Sequence, residues 1–161
     1  MVRGTLTLVS GGQTGVDRAA LEVGVALGVP VSGWVPAGRM AEDGPIPSHF
    51  AGLCETATAD PAERTRLNVE ESDALVVITR GPTRGGTRLA LEVARGLGRP
   101  VLVLDLAEVG EREAARALRG WLAERAFVRR LNVAGPRESE VPGIGMAARR
   151  VLGPAMGYFC T

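Results

Sequence analysis

Two spacing patterns of apolar residues alternate along the chain. Residues 5–9 (TLTLV) form a short apolar run that predicts a strand, whereas apolar residues recur every three or four positions over 16–27, which predicts a helix. Gly28 marks the end of that helix, and a second strand begins at Val29. Together these elements make a βαβ unit of about 30 residues.

The same order of elements recurs later in the chain. Strands and helices are predicted in turn at 73–79 (DALVVIT), 89–97, 99–106 (RPVLVLDL), about 110–125, 129–135 and about 143–152. When a helix joins two strands, it returns the chain to the same edge, so the strands run parallel. We therefore expect a single α/β domain over residues 1–161, with an open, mainly parallel sheet and helices on both faces.

Three turns rich in glycine, proline and polar residues follow predicted strands, at 10–15, 80–87 and 135–143. Because the carboxyl ends of parallel strands meet at one edge of a sheet, these turns should form one ligand site. The first turn (GGQTG) enters a helix, and the free N–H groups of a helix start attract anions. Ser10 replaces the first glycine of a dinucleotide fingerprint, and Gly33-Trp34 replaces the acidic residue that binds a ribose, so NAD is not expected.

Residues 36–59 interrupt this regular pattern with a segment longer than most loops of compact domains. Its charged residues Arg39, Glu42 and Asp43 lie between glycines, which suits a lid that closes over a ligand and holds it or a magnesium ion. The alternative is a solvated excursion that packs through apolar residues, namely Trp34, Ile46 and Phe50. A helix should then start at Asp60-Pro61, an N-cap followed by proline.

Charged residues at the turns have both structural and functional interpretations. Thr14 and Asp17 have the spacing of a capping box, which satisfies the helix start, and both are also placed to contact a ligand. Arg80 and Arg137 each follow a strand, so both guanidiniums could bind one phosphate or carboxylate, or one of them is simply solvated.

The composition excludes several chemistries. All 19 basic residues are Arg, so the chain has neither the lysine of a P-loop nor that of a pyridoxal Schiff base. A net charge of +1 does not indicate nucleic acid or a membrane as partner. Cys54 and Cys160 have no disulfide or metal-site spacing, and His49 is the only histidine. We expect a cytoplasmic protein without a membrane segment or a metal site built from its own residues.

Five blocks of sequence, in order, resemble the molybdenum-carrier family, also described as circularly permuted YpsA-like proteins of the SLOG superfamily. The blocks are SGGQTGVDRAAL, GWVPAGRMAEDGPIP, ERTRLNVEESDALVVITRGPTRGGT, GRPVLVLDL and LNVAGPRES…PGIG. The resemblance implies a Rossmann-like fold, a nucleotide or molybdenum-cofactor type of phosphorylated ligand, and a homo-oligomer. The related LOG-type phosphoribohydrolases carry P-G-G-x-G-T-x-x-E, whereas RGGTRLALE has different spacing, which argues against glycosidic hydrolysis.

The leading hypothesis is a binding protein for a small phosphorylated ligand, with no catalytic residue assigned. The candidate ligand-binding residues are Gly11, Gly12, Gln13, Thr14, Gly15, Asp17, Arg18, Arg39, Glu42, Asp43, Arg80, Gly81, Pro82, Gly85, Gly86, Thr87, Gly135, Pro136, Arg137 and Ser139.

Two other hypotheses remain open. One is a nucleotide N-glycosidase or phosphohydrolase that uses Glu42, Asp43, Asp17 or Glu92 as acid or base, although an exposed ion pair with Arg88 explains Glu92 better. The other is a module that senses a nucleotide and changes the behaviour of a protein partner.

Overall fold

The computed structural model describes residues 4–159, so Cys160 lies outside the described residues. The strands are β1 (Thr7–Val9), β2 (Val31–Val35), β3 (Met40–Ala41), β4 (Gly44–Pro45), β5 (Leu53–Glu55), β6 (Ala74–Thr79), β7 (Val101–Asp105) and β8 (Arg130–Ala134). The helices are α1 (Val16–Leu27), α2 (Pro61–Glu70), α3 (Gly85–Gly96), α4 (Glu111–Ala123) and α5 (Ile144–Gly157).

Six strands form the main sheet, in the order β5-β2-β1-β8-β6-β7, and every pairing within it is parallel. Strand β6 is buried along its whole length, and its side chains divide between two cores. Val76 and Ile78 pack in the core beneath α1, α4 and α5, whereas Leu75 and Val77 pack in the core beneath α2 and α3. The predicted Rossmann-like α/β sheet with helices on both faces is therefore confirmed.

Helix ends follow the local signals at most positions. Gly28 adopts the left-handed conformation that ends α1, and the side chain of Asp60 accepts a hydrogen bond from the N–H of Ala62 at the start of α2. The predicted end of α5 at about residue 152 is wrong, because the helix continues through Pro154 to Gly157. Ala155 and Met156 are fully buried in this last turn, and that burial favours the longer helix.

Residues 36–59 contain more regular structure than a lid loop. An antiparallel hairpin of β3 and β4 is followed by β5, which pairs with β2 and extends the main sheet. Ile46 and Phe50 are each 3% exposed and pack against Leu21 and Val35. The described helices include none that is both long enough and apolar enough to cross a bilayer.

Candidate functional site

The strand order places one crevice at the centre of the carboxyl edge. The chain leaves β1 toward β2 on one side of the sheet and leaves β6 toward β7 on the other, and β8 lies between β1 and β6. Ligand sites of open α/β sheets form where the direction of winding changes in this way. A cavity of about 140 Å³ opens there, bounded by the end of β8, the start of α1, and helices α2 and α3.

Asp17 is the buried carboxylate of this cavity, with a side chain that is 12% exposed. Its Oδ2 atom accepts a hydrogen bond from the N–H of Gln13 at 3.3 Å and lies 3.9 Å from Nη1 of Arg64. Burial raises the pKa of Asp17 from 3.8 to about 6, an effect that Arg64, the Gln13 N–H and Arg18 partly oppose. This carboxyl group therefore keeps its proton to a higher pH than an ordinary Asp side chain does.

The capping-box interpretation of Thr14 and Asp17 is corrected by these contacts. The N-cap of α1 is Gly15, and no described side chain caps it. Asp17 instead reaches back to Gln13, and the Thr14 hydroxyl donates to Oε1 of Glu42. At both residues, the side chain makes these hydrogen bonds instead of the reciprocal hydrogen bonds of a capping box.

Two other buried polar side chains lack partners in the cavity. Asn132 is 4% exposed and Thr87 is 7% exposed, and neither side chain makes a hydrogen bond with any residue of the described 4–159 range. Asn68 lines the same cavity but is satisfied, because its amide donates to and accepts from the backbone of Trp34. Among residues 4–159, the fully buried side-chain atoms without a partner are Nε of Arg18 and Nε of Arg99, so the polar atoms of Asn132 and Thr87 are open to the cavity and available to a ligand or water.

The start of α3 also faces this cavity. Gly86 and Thr87 line it, and the N–H groups of residues 85–87 donate to no described carbonyl or side chain. The N-cap residue Arg84 provides no side-chain hydrogen bond to them. Free N–H groups and the positive end of the helix dipole suit an anion at this position.

A wider groove of about 810 Å³ lies next to the cavity, between the starts of α1 and α5 and the tip of the β3–β4 hairpin. Glu42, at that tip, accepts hydrogen bonds from the Thr14 hydroxyl, from the Ser139 N–H at 3.1 Å and from the Ser139 hydroxyl at 2.5 Å. Nε of Arg137 lies 3.6 Å from its Oε2 atom. The hydrogen bonds from Ser139 and Thr14 hold the pKa of Glu42 below its usual value.

Two further contacts of the groove involve carboxylates. The Asp43 carboxylate accepts hydrogen bonds from both terminal nitrogens of Arg18, at 3.0 and 3.2 Å, and this hydrogen bonding lowers the pKa of Asp43. Glu138 accepts from the N–H groups of Gly143 and Gly145 at the start of α5. The protein's own carboxylates therefore occupy the anion-binding positions of the groove.

The GGQTG turn is satisfied in the same way. The N–H groups of Gly12, Gln13 and Thr14 donate to the side chains of Ser10, Asp17 and Gln13 respectively. An anion cradled by these N–H groups stays a prediction, and binding it would require the three side chains to give up these contacts.

The predicted ligand-binding residues divide into three groups. Those lining the cavity are Gly11, Gln13, Asp17, Gly86, Thr87, Gly135 and Arg137. Those lining the groove are Thr14, Gly15, Arg18, Glu42, Asp43 and Ser139. Those lining neither are Gly12, Arg39, Arg80, Gly81, Pro82, Gly85 and Pro136. Arg80 is exposed, so the structure does not bring it to the cavity wall that Arg137 lines.

The sequence interpretation missed the contribution of α2 and β8. Arg64 and Thr65 line the cavity from α2, and Asn132 lines it from β8. Asn132 had a readable signal, because it is a polar residue within an apolar parallel strand. Arg64 had none, since a charged residue on a helix is usually solvated.

Arg88 and Glu92 form the predicted exposed ion pair, with an Nε to Oε1 distance of 3.2 Å. Within residues 4–159, no group of three or more His, Cys, Asp and Glu side chains is arranged to hold a metal ion.

Comparison with known proteins now gives the family. The Circularly permutated YpsA SLOG family matches residues 8–156. The chain belongs to this family. A solved structure from Syntrophus aciditrophicus SB, described as a "Putative molybdenum carrier protein", is 35% identical to this YpsA-family protein. The two superpose with a TM-score of 0.90, and the match covers 96% of this chain and 97% of the other. No protein of curated function is significantly similar to the chain.

Proposed function

We propose that this YpsA-family protein binds a small phosphorylated ligand of nucleotide or molybdopterin type at the cavity beside β8. The observation that carries this proposal is a set of polar side chains open to one cavity, in which Asn132 and Thr87 have no partner among residues 4–159 and Asp17 is a buried carboxylate.

The phosphate is assigned to the exposed rim of the cavity. Arg137 is 49% exposed there, and the free N–H groups of Gly86 and Thr87 lie at the start of α3. A guanidinium and a helix start are both strong phosphate ligands.

The size of the cavity limits how much of the ligand it encloses. About 140 Å³ is smaller than the ~300–1,000 Å³ typical of ligand pockets. A nucleotide or pterin would therefore extend over the rim. Neither Cys54 nor His49 lines the cavity, so a molybdenum-bearing pterin would be held through its organic part and its phosphate. The name of the Syntrophus protein is in line with a carrier role.

Native mass spectrometry of freshly purified protein tests this proposal directly, because a bound ligand adds a defined mass. Affinity for that ligand, or for a nucleoside monophosphate, is then measured by calorimetry. Replacing Arg137 by Ala should weaken binding about 10- to 100-fold, the value of a charge-assisted hydrogen bond.

Arg80→Ala is the matched control, because Arg80 is exposed and lines neither the cavity nor the groove. It should leave the affinity unchanged. An equal loss of affinity in both variants would indicate that Arg80 and Arg137 bind the same phosphate. No loss of affinity in either variant would show that the phosphate does not bind at this rim.

A second candidate function, nucleotide hydrolysis, is favoured by the titration of Asp17. A carboxyl group whose pKa is raised to about 6 suits acid or base catalysis near neutral pH. Release of free base or phosphate from nucleoside monophosphates, lost in Asp17→Asn, would support an enzyme. Homo-oligomerisation stays a prediction that the mass of the native protein tests.

A further inference from the structure

The charge of the cavity sets which part of a ligand it accepts. Four charged side chains line it, and the carboxylates of Asp17 and Glu140 offset the guanidiniums of Arg64 and Arg137. A phosphate dianion beside the buried carboxylate of Asp17 would meet like charge with little screening. The buried part of the cavity therefore favours a neutral group, and a group that donates hydrogen bonds to a carboxylate.

Asp17 is fixed in place and still has free capacity. Its Oδ2 atom has the contacts with Gln13 and Arg64, whereas Oδ1 accepts no hydrogen bond from the described residues. Arg64 is itself held, because its Nη1 donates to the carbonyl of Gly11 and its Nε donates to the Thr65 hydroxyl at 3.3 Å. An ionised carboxylate accepts about four hydrogen bonds, so Asp17 has capacity for two more N–H groups.

Asn132 provides the complementary groups. Its carboxamide has two N–H donors and one carbonyl acceptor, all without partners among residues 4–159, and it lines the same cavity as Asp17. The Thr87 hydroxyl is also free to donate or accept. The cavity thus contains both a strong acceptor and an amide donor.

We propose that this cavity recognises the 2-amino-4-oxopyrimidine edge shared by guanine and pterin, with Asp17 accepting two adjacent N–H groups and Asn132 donating to the carbonyl oxygen. The inference deepens the proposed function and rests on it, because the phosphate of the same ligand would lie at the rim beside Arg137. Adenine offers an amino group beside a ring acceptor, and that acceptor would face the carboxylate. The cavity therefore selects against adenine.

Calorimetric titration with GMP, IMP, AMP and free pterin tests the recognition of this edge. IMP lacks the 2-amino group, so it should bind about 10- to 100-fold more weakly than GMP, and AMP more weakly still. Binding of GMP but not pterin identifies a nucleotide ligand, and the reverse identifies a pterin. Equal affinity for GMP and AMP overturns the inference but leaves the rim phosphate site of the proposed function intact. No binding by GMP or pterin also overturns it.

The pH dependence of binding distinguishes a ligand that donates N–H groups to Asp17 from an anionic ligand. Asp17 must be ionised to accept two N–H groups, so affinity should rise from pH 5 to 7 and then level off. Guanosine replaces GMP in this series, because a phosphate itself titrates near pH 6. The charged groups around Asp17 are Arg64 on α2, Arg18 on α1, and Arg137 and Glu140 after β8. Affinity that instead increases toward pH 5 would contradict the inference.

Asp17→Asn provides the matched variant, because it keeps the shape of the side chain and loses the charge. It should weaken guanosine or pterin binding at least 10-fold at pH 7 and abolish the rise in affinity between pH 5 and 7. Arg88→Ala, in an exposed ion pair away from the cavity, should change neither. If the Asn variant fails to fold, the pH series on the unaltered protein still decides the question.

Discussion

The cavity beside β8 and the groove beside α5 are neighbours that differ in how the polar groups of their walls are paired. Groove donors are paired with the protein's own carboxylates, such as Ser139 with Glu42 and Gly145 with Glu138. In the cavity, the side chains of Asn132 and Thr87 have no partner among residues 4–159. These polar atoms are open to the cavity, which therefore offers unpaired donors and acceptors to a ligand. The groove holds the hairpin and the two helix starts together.

Segment 135–137 links the two regions, and we expect the largest loss of stability from a substitution that crowds its backbone. Gly15 has a φ of 74°, and a Cβ there would lie 2.4 Å from the carbonyl oxygen of Pro136. Replacing Gly15 by Ala should lower the free energy of unfolding by about 3 kcal/mol or more, since both backbones must shift. Urea unfolding measures this change.

Gly28→Ala is the control for Gly15→Ala. Gly28 has a similar φ of 70°, but a Cβ there would meet nothing within 4 Å. It should lose only about 1 kcal/mol, the cost of the left-handed conformation. Similar losses in the two variants would show that the close approach at Pro136 is unimportant.

The buried carboxylate of the cavity should reduce stability at neutral pH. The pKa of Asp17 is 3.8 in an unfolded chain and about 6 in the folded protein, so the folded state binds more protons between these values. Its contribution to stability therefore falls as pH rises through this window. Asp17→Asn removes the effect and should become more stable than the unaltered protein by on the order of 2–3 kcal/mol at pH 7.

Thermal or urea unfolding at pH 4 and pH 7 measures this difference. The advantage of the Asn variant should be small at pH 4, where the folded protein carries a neutral Asp17. An advantage that is equal at both pH values, or a loss of stability at pH 7, would mean that Arg64 compensates the buried charge fully.

The groove carboxylates should show the opposite behaviour, with smaller and local effects. Glu42→Ala removes three hydrogen bonds and should raise amide hydrogen exchange across the 39–46 hairpin roughly 5- to 30-fold, which corresponds to about 1–2 kcal/mol. Because the pKa of Glu42 is lowered, its contribution is present near neutral pH and is lost as pH falls.

Asp43→Ala is the weaker companion of Glu42→Ala. The Asp43 side chain is 50% exposed in its pair with Arg18, so its loss should cost less than about 1 kcal/mol. A larger effect from Asp43 than from Glu42 would mean that the ion pair, and not the hydrogen bonds to Thr14 and Ser139, holds the hairpin.

Local sequence patterns predicted the fold well because they reflect local physics. The apolar period of 16–27 gave α1, the Asp60-Pro61 cap gave the start of α2, and repeated helix-strand units gave a parallel sheet. The β3–β4 hairpin and the edge strand β5 were not predicted. Their stability comes from Ile46 and Phe50 packing against α1 and β2, which no local pattern reveals.

The candidate site shows where sequence information ends. The GGQTG turn, the start of α3 and Arg137 could be placed at one sheet edge from the chain order alone. Only the tertiary structure decided that β8 lies between β1 and β6, which brings Asn132 to the same cavity as Asp17. It also decided which donors are filled, because Glu42 reaches Thr14 from a distant hairpin. A hydrogen bond depends on the position of both atoms, and residues far apart in the chain acquire those positions only on packing.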